Sequence, residues 1–361
     1  MKKKNEYVKK FIGIHFKVGA CNLKCSYCYL GKHENHYVDI PYSVEEIRRA
    51  FSKRRLGGVC FINICSDGET LIHPLMPQII KEFLEEGHYV LVVTNATLRQ
   101  RIEECINCGA DISRLFFKVS FHYEEMQRLG LLDIFWDNLD LMKSSACSFT
   151  VEYITSDETL EKIEEFKQIC MEKMHAYPHI NMPRNEQASN LGVLSKNTWR
   201  NYIQKWDIVG FDSEFWKFRK QVFGKKYNEF CYAGERSLWI NMENGFSYQC
   251  YDLPPIQNFM GEIEKPVKWL AIGNNCPQAH CYVAYSHMTL GTINYQGCVK
   301  YKPHYDEIRN RICTDGSEWI KPIYKRAFQM GVTQIEFSAR KKKIINILNK
   351  LLRWNARMEK V

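Results

Sequence analysis

Along the first half of the chain, apolar positions follow two alternating rhythms. Short runs rich in Val, Ile and aromatic residues read as strands at Phe11–Val18, Val59–Ile64, Tyr89–Thr94, Leu115–Phe121, Ser148–Ile154 and His179–Met182. Helical stretches fall between them, near Val44–Lys53, Leu75–Glu86, Leu98–Cys108, Ile134–Lys143, Leu160–Lys173 and Ser195–Trp206. Thr155-Ser156-Asp157-Glu158 has capping-box spacing, which predicts a helix start after the fifth strand, and Pro74 suits a first helical turn. A repeating β–α order predicts a parallel sheet, because parallel neighbours need crossover helices. Six units are too few for a closed eight-stranded barrel. The expected fold is therefore α/β, a partial (β/α)6 TIM-like barrel with its site in the loops at the strand C-termini.

The rhythm breaks after Trp206. Residues 1–206 form the expected core and residues 207–229, charged and aromatic, a helical linker. Residues 230–300 form a small, loop-rich, Cys-rich module. Within it, Ser237–Asn241 and Phe246–Tyr251 can pair across Asn244-Gly245, a turn in which both residues tolerate positive φ. Residues 301–361 read as a basic helical tail. There Arg340–Lys343 precede Ile344, Ile345, Ile347, Leu348, Leu351 and Leu352, which share one helical face. That face is expected to pack on its own domain; a membrane surface, nucleic acid or an acidic partner are the alternatives.

Composition narrows the chemistry. The chain has 361 residues, 45% hydrophobic and 25% charged, enough apolar material for a sizeable core. A net charge of +9 favours an anionic ligand, although Lys and Arg are spread throughout. No export signal and no membrane-spanning run are evident, so the expected location is cytoplasmic, with neither membrane nor nucleic acid as the expected partner. In that compartment the 15 Cys stay reduced, and clustered thiols point to metal before disulfides.

Cys21, Cys25 and Cys28 have the spacing C-x3-C-x2-C on a loop after the first strand. Three thiolates there can wrap three irons of a cubane and leave the fourth open to a ligand. Spacing alone also allows a zinc knuckle, with His33 or His36 as fourth ligand. The run Cys21-Asn22-Leu23-Lys24-Cys25-Ser26-Tyr27-Cys28-Tyr29 resembles the cluster loop of the radical S-adenosylmethionine (SAM) superfamily, in the form typical of peptide-modifying and sulfatase-maturing members. The resemblance implies a 4Fe–4S cluster whose open iron chelates SAM. An electron then cleaves SAM to a 5′-deoxyadenosyl radical that abstracts a substrate hydrogen. It also implies an external electron donor such as ferredoxin or flavodoxin.

Further positions match in order. Gly68 and Glu69 fit the family's Gly-Gly-Glu-Pro segment, which holds the SAM amino group; Asp67 and Thr70 replace its first Gly and its Pro. Asn95 belongs to a Thr-Asn pair that similar enzymes keep after the third strand. Ser120, at the end of the fourth, is a position used for the SAM ribose or carboxylate, and Arg184 is a cation suited to that carboxylate. Glu152, Lys118 and His122 lie near the same rim without an assigned role.

Cys231, Cys250, Cys276 and Cys281 make a second constellation. Four thiols suit a fully ligated cluster and equally a structural zinc. The opening C-x13-G-x4-C, through Gly245, resembles the auxiliary-cluster module known in a two-cluster (SPASM) and a one-cluster (twitch) form. The dense C-x2-C-x5-C-x3-C run of the longer form is absent, so one auxiliary iron–sulfur cluster is expected, with Cys298 an alternative ligand. Cys60, Cys65, Cys105, Cys108, Cys147, Cys170 and Cys313 read as ordinary buried residues. The resemblance implies hydrogen abstraction from a peptide or protein substrate, as in a peptide maturase or sulfatase maturase; oxidation or rearrangement of a small metabolite, such as a sugar or amino-acid derivative, is the alternative. Only about ten residues precede the first strand, short of the peptide-recognition domain many peptide-modifying relatives carry. A non-enzymatic zinc-binding interaction protein is the alternative of a different class.

Overall fold

A computed structural model describes residues 7–30, 36–185, 192–295, 297 and 299–358, with side chains to residue 354. Six parallel strands follow the expected order: β1 (Phe11–Phe16), β2 (Phe61–Ser66), β3 (Tyr89–Thr94), β4 (Leu115–Phe121), β5 (Ser148–Ile154) and β6 (His179–Asn181). The crossovers are α1 (Val44–Ala50) with α2 (Lys53–Leu56), α3 (Met76–Glu85), α4 (Arg99–Ile106), α5 (Tyr123–Leu129) with α6 (Leu132–Ser144), and α7 (Asp157–Leu160) with α8 (Ile163–Met174).

Period-2 alternation divides each strand between two environments. Ile12, Ile14, Phe16, Ile62, Ile64, Val90, Val92, Phe117, Val119, Val151 and Tyr153 are buried in the main core with the helices. Phe11, His15, Asn63, Cys65, Val93, Lys118, Ser120 and Glu152 face the opposite way, into a cavity. The concave face of the open sheet is thus polar enough to serve as a site, while its convex face supplies the core.

Local expectations shift by a few residues. The cap of α7 is Ser156, whose hydroxyl accepts from Thr159 N, whereas Thr155 Oγ1 donates to Asn181 O at 2.9 Å. Pro77, not Pro74, sits in the first turn of α3. The helix expected at Val44–Lys53 breaks because Ser52 caps a new turn.

β7 (Arg184–Asn185) and β8 (Gly192–Val193) form a small antiparallel pair, followed by α9 (Trp199–Val209) and α10 (Glu214–Val222). The expected hairpin is present as β9 (Ser237–Asn241) and β10 (Phe246–Tyr248), with Gly245 in the turn at φ +74°. It is joined to the core: β9 runs parallel to β1 from Phe11↔Ser237 to His15↔Asn241. With β11 (Pro255–Asn258) the sheet has nine strands, in the order β11-β10-β9-β1-β2-β3-β4-β5-β6.

Four helices follow: α11 (Ala284–Thr289), α12 (Tyr305–Arg309), α13 (Pro322–Met330) and α14 (Ala339–Met358). The last three lie after residue 300, where a basic helical tail is expected. Tyr324 and Phe328 of α13 pack on Phe61, Tyr89 and Phe116, near the start of their strands, and close the floor of the barrel. On α14 the expected packing stripe is largely exposed: Ile345 enters a small cluster with Phe230, Tyr232 and Phe337, while Ile344, Ile347, Leu348 and Leu351 face solvent. The deep contact of α14 is polar, Asn349 bonding Ala271 O and Gln249. Among the described residues, no helix is long and apolar enough to cross a membrane.

Candidate functional site

The loop that follows β1 is braced from several sides. Asp67 Oδ1 accepts from Val18 N and Gly19 N at 2.8 Å each, so the residue that departs from the Gly-rich pattern ties the loop to β2. Ala20 O accepts from Glu69 N at 2.9 Å. Asn22 bridges Thr97 and Asn95, and Lys24 N donates to Glu125 at 2.8 Å. Tyr27 OH meets His122 Nδ1 at 3.0 Å. The braces present Cys21, Cys25 and Cys28 together on the wall of one cavity of about 680 Å³. Burial pushes the Cys21 thiol up to about 11 and Cys25 to about 12. Loading a metal there has to displace protons.

The other residues singled out from sequence divide into two groups. Gly68, Ser120 and Arg184 line the cavity, Arg184 with its guanidinium 4.2 Å from the Tyr29 ring centre. A Cβ on Gly68 would stand 2.0 Å from Ala20 O, so only glycine permits this approach. Glu69 and Asn95 lie behind the wall. Glu69 accepts from Thr94 Oγ1 (2.6 Å), Leu71 N (3.0 Å) and Asn95 N (2.7 Å), locking the loop after β2 to the end of β3. Burial raises its pKa against these bonds.

The second constellation is assembled from distant segments. Cys231 exchanges backbone hydrogen bonds with Gly273, Cys250 follows β10, and Cys281 N donates to Lys225 O at 3.0 Å. Lys226 Nζ donates to the carbonyls of Cys276 (2.7 Å) and Gln278 (2.6 Å). The four thiols share an apolar pocket with Phe215, Val222, Leu253 and Ile272, close enough to oppose one another's ionisation. Burial first, then neighbouring groups, takes Cys250 up to about 12. Cys298 lies outside the described residues, as does His33.

The donor chemistry fits iron–sulfur ligation at both places: three thiols facing an open cavity, and four enclosed by apolar side chains. Among the described residues no three His, Cys, Asp or Glu side chains are drawn together as a single ion requires.

Both constellations meet the same cavity, since Cys250 lines it together with Cys21, Cys25 and Cys28. Cys65, set aside as ordinary, lines it too. Sequence reasoning missed Arg219, Trp239, Tyr251 and Tyr285, and Arg309 behind the wall, all from the second half of the chain. No local motif marks them; only the chain's return over the barrel places them here. A hollow between α4 and α6, lined by Arg99, Ile134 and Asp140, is open to solvent and holds no comparable set.

Residues 17–170 match the model of the radical SAM superfamily. The chain carries a radical SAM domain. The domain makes it an enzyme, and it implies a 4Fe–4S cluster and SAM; the substrate is not given by the match. Neomycin C epimerase of Streptomyces fradiae is 32% identical over 108 residues, 30% of this chain and 33% of that protein, so the likeness spans a third of its length. Among solved structures, Streptococcus suis SuiB bound to S-adenosylmethionine shares 15% identity at a TM-score of 0.48, over 73% of this chain and 67% of that one. The anSMEcpe structure with bound AdoMet shares 15% at 0.47, over 69% and 78%. At these scores the structural likeness is partial, and the radical SAM domain is assigned from the family match alone.

Proposed function

We propose that this enzyme cleaves SAM reductively and removes a hydrogen atom from a compact small-molecule substrate held in the central cavity. Cys21, Cys25 and Cys28 would hold the cluster that, with SAM bound, supplies the radical. Gly68, Ser120 and Arg184 would position SAM, and Glu69 and Asn95 would stiffen the segments that do so. Cys231, Cys250, Cys276 and Cys281 would hold one auxiliary cluster beside the substrate. The observation that carries this reading is one cavity, closed below by α13, that is lined by all three thiols of the first set and by Cys250 of the second. About 680 Å³ has to take SAM as well as substrate, which favours a small substrate. The stretch shared with neomycin C epimerase points the same way.

A second reading keeps a peptide or protein substrate that inserts one residue into the cavity. It draws support from the Cys21–Tyr29 loop, whose form resembles that of peptide-modifying members.

The test is anaerobic reconstitution with iron and sulfide, reduction by dithionite or flavodoxin, and addition of SAM. The expected result is a brown protein that releases 5′-deoxyadenosine. Replacing Cys21, Cys25 and Cys28 together with Ala should reduce that release by about a hundredfold or more. Unchanged release, or a colourless zinc protein, would overturn the assignment. Mass spectrometry of small molecules and peptides incubated with the system then separates the two substrate readings.

A further inference from the structure

The lower end of the cavity holds charges that the chemistry above does not use. Lys118 and Ser120 of β4 and His122, which follows it, line the cavity one above another, and alternate strand residues stand about 7 Å apart. His122 bonds Tyr27 of the cluster loop, which places Lys118 about 13 Å further down the barrel than that contact. The Lys118 ammonium opens onto the cavity and makes no hydrogen bond or ion pair with the described residues. Arg219, on α10, is 2% exposed. Its Nε donates to Asn181 Oδ1 at 3.2 Å, its guanidinium lies 5.0 Å from the Tyr285 ring centre, and among the described residues no carboxylate pairs with it. Arg309, on α12, is fully buried and paired with Glu152. Three cations therefore surround one carboxylate; Asp252 borders the cavity beside Cys250.

We propose that this end of the cavity binds an anionic group of the substrate, a carboxylate or a phosphate, through the Lys118 ammonium and the Arg219 guanidinium, with Tyr285 beside them. The inference rests on the proposed radical chemistry and names the substrate class. An unbalanced buried cation is costly, and a bound anion removes that cost. Burial, followed by repulsion from Arg184 and Arg309, outweighs the help of Tyr285 and Glu152 and takes Arg219 down to about 10, as expected of a cation short of partners. Burial also opposes the charge of Lys118, but Tyr285, Tyr305 and Glu152 outweigh it and keep the ammonium charged. SAM does not supply the missing charge, because its carboxylate comes with an amino group and a sulfonium. An auxiliary cluster could balance Arg219, which acts on Cys281; Lys118 acts instead on Cys65 and Tyr285. Lys118 is thus the discriminating residue.

The probes are inorganic phosphate and acetate, titrated calorimetrically into reconstituted, SAM-bound enzyme. The same preparation is first assayed for 5′-deoxyadenosine, so a failure of the radical chemistry is seen separately. The wild type should bind both anions. Lys118→Met should weaken binding by about tenfold or more, and Lys118→Arg should keep most of it. Iron content equal to the wild type certifies the variant's fold; if Lys118→Met fails that check, Arg219→Gln takes its place. The proposal falls if the wild type binds neither anion or if the variant binds as well as the wild type. It falls too if phosphate and SAM displace each other, which would put the anion at the cofactor's own carboxylate. A shifted cluster potential with unchanged anion affinity would assign the lysine to the clusters and overturn it as well.

Discussion

The two cysteine sets approach one cavity by opposite routes, the second reaching it through Cys250. Cys21, Cys25 and Cys28 lie on one short loop, half-open to the cavity and held by hydrogen bonds donated to Asp67 and Glu125 and received from Glu69 N and Asn95 Nδ2. Cys231, Cys250 and the loop that carries Cys276 and Cys281 come from three separate segments and meet in an apolar pocket. A reactive cluster needs access and a frame that does not depend on the metal. An auxiliary one can be part of the frame itself, so that its removal is felt by the fold.

That contrast can be broken most directly by removing one thiol from each set. Cys231→Ala and Cys28→Ala should each lose about four irons per chain. Only Cys231→Ala should also destabilise the fold heavily, by about 4 kcal/mol or more, as judged by anaerobic thermal unfolding. Equal melting of the two variants would erase the distinction. A smaller effect sharpens the first half of the comparison. Gly68→Ala puts a methyl group 2.0 Å from Ala20 O, and the loop has to move to relieve it. We expect a loss of about 3 kcal/mol and clearly weaker SAM binding by titration, with iron content kept. The smallest effect is expected away from both sets. Burial takes His88 down to about 4, where its neutral ring accepts from Cys60 N and donates to Phe51 O. The unfolded chain takes up this proton near pH 6.5, before the folded one does. Stability is thus kept above pH 6.5 and lost on acidification toward pH 4, by about 2 kcal/mol between pH 7 and 5. His88→Gln should flatten that part of the slope in denaturant titrations.

The six parallel strands were legible in sequence because their Val- and Ile-rich runs are short, regular and separated by helical spacing. β3, β4 and β5 match the expected bounds. The first thiol set was legible because it is local. The floor was not: Tyr324 and Phe328 gain meaning only against Phe61, Tyr89 and Phe116, which no spacing rule connects to them. Lys118 could be seen on its strand, yet its character comes largely from Tyr285, Tyr305 and Arg309, supplied by two later helices. The polar docking of α14 through Asn349 was hidden for a similar reason, since helical periodicity reports apolar faces and not a single buried amide.

The position of β1 between β2 and β9 bears on how the molecule is made. The strand that leads into the first thiol loop gains its second neighbour only after residues 237–241 have left the ribosome. Until then one side of it is a bare hydrogen-bonding edge, open to wrong partners and to chaperones. A fragment ending near residue 206 should consequently be a sticky half-sheet and not a miniature enzyme, and metal delivery to the first three thiols belongs late in the maturation of the nascent chain.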